Sequence, residues 1–108
     1  MRTMPIYESK YEVGDEVWFI LPHTEETIDD RGFGHLVRRP IVCSGKINAV
    51  FIDLYTPLTY VVSYNHPLTS EFFLLTSVSE SDLYPSREEA VKIVEAEGLK
   101  VYEEDKED

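Results

Sequence analysis

Val13–Ile20 reads VGDEVWFI, and the fold turns on how that stretch is taken. Gly14-Asp15 is a turn pair that feeds a strand. From Glu16 to Leu21 the side chains alternate. Val17, Phe19 and Leu21 fall on one face, and Trp18 and Ile20 on the other. Apolar residues on both faces predict a strand covered on both sides, or covered by the lead-in of residues 1–12. Pro22 ends the strand.

Working outward, HTEETIDDRGFGHLVRR (residues 23–39) reads as a long polar loop broken by glycines and without sustained periodicity. A loop of that length is uncommon unless it carries function, so specificity is expected there. Ile41 to Asp53 predicts a long strand, with Gly45 as a bulge inside it. Leu58 to Tyr64 and Glu71 to Thr76 predict two more, joined by an Asn-His-Pro turn at residues 65–67, and Val78 a short final edge. The chain then changes character. Ser86 with Glu89 forms a capping box, Glu88 and Glu89 complement the helix dipole, and Gly98 stops a helix over 87–97. Ala90, Val91, Ile93 and Val94 make the stripe that docks it on the sheet. Residues 103–108 form an acidic tail. This is one domain, residues 13–102, mainly β with a C-terminal α-helix.

The pattern resembles SH3-like barrels of the KOW and Tudor kind. VGDEVWF, GKINAVFI and YVVSY carry the likeness, and DLYPSREEAVKIVEAE resembles the close of small bacterial and phage proteins of this shape. The resemblance implies a small antiparallel barrel of about five strands. It implies no activity.

Charge narrows the function. With 10 basic and 21 acidic residues the net charge is −11, which opposes binding to nucleic-acid phosphates or to an anionic membrane. A basic protein partner is expected instead. The single cysteine, Cys43, forms no disulfide within the chain and fits a reducing cytoplasm. No signal-peptide core and no membrane-length apolar run is present.

Catalytic and metal chemistry find little footing. His23, His35, His66 and Cys43 lack the close spacing of a zinc site. Cys43 lies on a predicted strand with no helix N-terminus to activate it. A non-enzymatic protein without metal or cofactor is expected. Partner binding is assigned to Glu25, Glu26, Asp29, Asp30, Arg38 and Arg39 of the 22–39 loop. In size and charge the chain resembles small acidic phage inhibitors, including anti-CRISPR proteins. Such a protein places carboxylates where a basic, nucleic-acid-handling host factor expects phosphates. The alternatives are a purely structural phage or bacterial protein, and a ligand-reading barrel. In the latter, Trp18, Tyr55, Tyr60 and Tyr64 form an aromatic cage, with an acidic neighbour such as Asp53 favouring a cationic ligand.

Overall fold

A computed structural model describes residues 9–52, 55 and 57–103. Six strands precede the helix: β1 (Glu16–Leu21), β2 (Thr24–Ile28), β3 (Gly34–Arg38), β4 (Ile41–Phe51), β5 (Thr59–Asn65) and β6 (Phe72–Ser79). A 3-10 turn, Glu80–Asp82, and helix α1 (Arg87–Ala96) follow. Four strands form an antiparallel sheet in the order β1-β4-β5-β6, and β2-β3 form a separate two-stranded ribbon. The fold is mainly β with one C-terminal helix.

The alternation in VGDEVWFI sets the core. Val17 and Phe19 are buried, as are Cys43 and Ile47 on β4 and Tyr60, Val62 and Tyr64 on β5. Gly14 N–H donates to the Ile47 carbonyl (2.8 Å) and Ile47 N–H to the Asp15 carbonyl (2.9 Å), so the Gly-Asp turn fixes the β1–β4 register. The lead-in contributes a core residue too. Tyr11 is buried, with its ring edge-on to Tyr60 (centroids 5.8 Å apart). Beside it, Lys10 N–H donates to Glu80 Oε1 (2.7 Å).

Gly45 does not bulge. It pairs in regular register with Val17. A Cβ there would meet the Ser63 carbonyl oxygen and Val62 Cγ1, both at 2.7 Å, so the glycine allows close approach of β5. The register shift falls three residues later, between Ile47 and Ala49. The long strand ends at Phe51; Asp53 lies outside the described residues.

The sheet does not close into a barrel. Val78, expected on a short final edge, lies within β6, and Tyr84 beyond the 3-10 turn exchanges backbone hydrogen bonds of 2.8 Å in both directions with Trp18 of β1, an isolated bridge. Closure requires β6 to reach that strand, but β6 runs into the 3-10 turn instead. Between β1 and β6 a cleft of about 210 Å³ remains, lined by Phe19, Ile20, Leu75, Val78, Asp82 and Tyr84.

Helix α1 begins where the capping signal places it. Ser86 Oγ accepts from Glu89 N–H (3.3 Å). After Gly98, Leu99 N–H returns to the Val94 carbonyl (3.2 Å). The helix lies against β4 and β1, burying Ala90 and Val94. Of the expected stripe, Ile93 instead stays 43% exposed. Among the described residues, no helix is long and apolar enough to cross a membrane. Residues 104–108 of the expected tail lie outside the described residues.

Candidate functional site: the β2–β3 ribbon

Residues 22–39 are a β-ribbon, not an irregular loop. The strands pair from Thr24↔Arg38 to Ile28↔Gly34. The turn between them is built by one carboxylate. Asp29 Oδ1 accepts from Arg31 N–H and Phe33 N–H, both at 2.9 Å. Asp29 Oδ2 meets His35 Nε2 at 2.8 Å. Gly32 takes the left-handed conformation (φ 83°) that returns the chain, while its N–H donates to the Asp29 carbonyl. The His35 contact, and then the Phe33 amide, hold the Asp29 carboxyl below its ordinary value.

Opposed residues of an antiparallel pair project to one side, so the ribbon has two distinct faces. One carries Glu25 and Val37, then Thr27 and His35. At its base Glu25 Oε2 lies 3.2 Å from Arg39 Nε, and Glu25 Oε1 lies 3.8 Å from His23 Nε2. The Arg39 Nε makes no directed hydrogen bond, so this contact is an ion pair. His23 in turn sits edge-on to Tyr102 (5.0 Å), whose N–H donates to the Pro40 carbonyl (2.9 Å). These contacts tie the ribbon base to the segment after α1.

The other face carries Thr24, Glu26 and Ile28 opposite Arg38, Leu36 and Gly34. Here Leu36 is 79% and Ile28 74% exposed, and Phe33 at the turn is 64% exposed. Glu26 and Asp30 stand exposed beside them. The six loop residues singled out from the sequence therefore divide. Glu25 and Arg39 pair with each other, and Asp29 holds the turn. Glu26, Asp30 and Arg38 face outward. The apolar residues Ile28, Phe33 and Leu36 were not singled out, because in sequence they are scattered among charges. Knowledge of the register is needed to put Ile28 and Leu36 on one side.

The four aromatic residues of the expected cage do not converge. Tyr60 and Tyr64 are buried core residues, and Tyr64 packs edge-on to Phe19 (5.0 Å). Trp18 alternates with Phe19 and so lies on the opposite face of β1. Tyr55, between β4 and β5, is 92% exposed, and Asp53 lies outside the described residues. Burial raises the hydroxyl pKa values of Tyr60 and Tyr64, as suits core rings.

Cys43 is buried, and desolvation pushes its thiol up to about 11, far from a reactive thiolate. Among the described residues, no group of His, Cys, Asp and Glu side chains could hold a metal ion. A cavity of about 480 Å³ lies along α1, lined by Arg39, Arg87, Lys100, Glu95, Glu103 and two valines. Its three cations are largely offset by two carboxylates.

No family model, curated protein or solved structure shows significant similarity to this chain.

Proposed function

We propose that this chain is a non-enzymatic protein-binding module that docks the outer face of its β2–β3 ribbon on a basic partner. In its sharper form it is a phage-type inhibitor that occupies the nucleic-acid groove of a host protein. The same reading takes the fold as an opened relative of SH3-like barrels, with the ribbon inserted after the first strand.

One observation carries the reading: Ile28, Phe33 and Leu36 are exposed, with Glu26 and Asp30 exposed among them, on a ribbon that beyond its base makes no extensive contact with another strand or the helix among the described residues. A two-stranded ribbon alone is marginal in water. Exposing three large apolar side chains on one is costly unless a partner covers them. The apolar side chains supply contact area, and the −11 charge steers encounter with a cationic surface.

The test uses tagged full-length protein in a bacterial lysate at low salt, beside two variants. Leu36→Lys removes the apolar contact. Glu26→Lys with Asp30→Lys reverses the free carboxylates and spares Asp29, which holds the turn. The expected result is a nucleic-acid-binding protein captured by wild type, released by salt, lost with both variants, and blocked from its nucleic acid by the wild-type chain. Equal capture by wild type and both variants would overturn the proposal.

A further inference from the structure

The sheet has two end strands, and they differ. On the free side of β1, Trp18 at mid-strand is taken by an isolated bridge to Tyr84. Beyond β6 no strand pairs among the described residues. Natural edge strands usually carry lysine, proline or inward charge to deter pairing. β6 reads FFLLTSVS, with no charged residue and no proline, in a chain where 31 of 108 residues (10 basic plus 21 acidic) are charged. Its first half is apolar and exposed: Phe72 65%, Leu74 52% and Phe73 39%.

We propose that β6 is a homodimer edge, where two copies of this chain pair antiparallel about a two-fold axis at Phe73. The pairing length is set by the strand itself. The register slips between Tyr60 and Val62, and Ser77 takes a left-handed conformation (φ 57°). That bulge ends the regular edge after Leu75.

The register follows from which way the side chains point. Phe73 and Leu75 pair with Tyr64 and Val62, so they share the core face. Phe72 and Leu74 pair with Asn65 and Ser63 on the outer face. A two-fold axis normal to the sheet keeps like faces together, so the central residue pairs with its own copy. With Phe73 at the centre, Phe72 opposes the partner subunit's Leu74, and Leu74 opposes the partner subunit's Phe72. Four exposed apolar side chains then cover one another on the outer face. On the core face Phe73 meets the partner subunit's Phe73, each ring backed by a stacked Tyr64 of its own copy (5.6 Å). Glu71 opposes the partner subunit's Leu75, so no carboxylate faces another.

Charge selects the occupant. A basic partner finds no carboxylate to pair with along Phe72–Leu75. A second copy brings the complementary apolar row, and this uncharged strand lets two −11 chains meet with no carboxylate set directly against another. One short strand pair buries well under the ~1,600 Å² of a standard interface, so the dimer is weak and reversible. This surface is separate from the ribbon, so the two proposals stand or fall independently.

Sedimentation equilibrium of the full chain, at about 0.05 M and about 0.5 M NaCl, tests it. The expected result is a monomer–dimer equilibrium that tightens at high salt, as repulsion is screened. Leu74→Lys, at an exposed position, weakens it by about tenfold or more. Phe73→Cys cross-links two copies on mild oxidation, whereas Ser79→Cys, beyond the bulge, does not. A monomer at every concentration in both salts overturns the proposal and leaves the edge for a strand of another protein. So does a dimer that survives Leu74→Lys, including one dissolved instead by Leu36→Lys on the ribbon. Should Phe73→Cys fail to fold, the Leu74→Lys comparison still decides.

Discussion

Asp29 shows how one side chain sets what its neighbours can do. Its two carboxylate oxygens take two backbone amides and the His35 ring, so the ribbon turn is organised around a charge. The sign of the pH effect follows. The folded-state pKa of Asp29 lies below its ordinary value of 3.8. Its contribution is therefore complete above that value and is lost as pH falls through the lower folded value. The Arg31 and Phe33 amides should stay protected from exchange at neutral pH and lose protection on acidification below the usual carboxylate range. Asp29→Ala should expose them at all pH values while leaving β4 and β5 amides unchanged. Amide exchange followed by NMR reads both, and full protection in the variant would show that the turn does not depend on the carboxylate. The same reasoning separates residues that share a charge but not a role. Asp30, one position along, is exposed and takes no part in the turn hydrogen bonds described, so its charge faces solvent.

Among the elements, β4 carries the tightest constraint. Gly45 lies beneath a backbone carbonyl of β5 and a valine methyl. The carbonyl belongs to the sheet ladder and cannot give way, so Gly45→Ala should cost about 1–3 kcal/mol, read as a lowered urea midpoint with an unchanged slope. An unchanged midpoint would mean that the two strands separate freely there. The elements also divide by how far local sequence defines them. β1 and α1 were legible because their signals are local: alternation after a Gly-Asp turn, and a Ser86 cap with a Gly98 stop. The ribbon was not. Thr24–Ile28 is rich in charge and short of apolar residues, so its period of two is hidden in threonines and glutamates. The clue available was Asp29 followed by Gly32, an aspartate and a glycine at the ends of a four-residue turn.

At the scale of the whole molecule, pairings between distant segments decide the architecture, and they explain why the sheet stays open. The resemblance to SH3-like barrels implies closure. Closure depends on whether β6 and the last extended segment meet, and that segment makes a single bridge to β1 at Tyr84. The candidate site was half legible for the same reason. Its carboxylates stand out in the sequence, but which of them are engaged within the ribbon depends on Arg39 and His35 arriving from the returning strand.

The ribbon leaves and re-enters the sheet at one place. Leu21, the last residue of β1, pairs directly with Ile41, the first of β4, and Arg39 N–H closes onto the His23 carbonyl (2.8 Å) just beyond. Opposed residues of an antiparallel pair sit only about 5 Å apart, so a short hairpin turn can join Leu21 to Ile41 in place of residues 22–40. The shortened chain should fold to the same four-stranded sheet with a similar far-ultraviolet strand signal, and loss of cooperative unfolding would show that the ribbon supports the sheet. The four-stranded sheet thus closes its own pairing at Leu21 and Ile41, and the ribbon is an insert whose length that pairing does not fix.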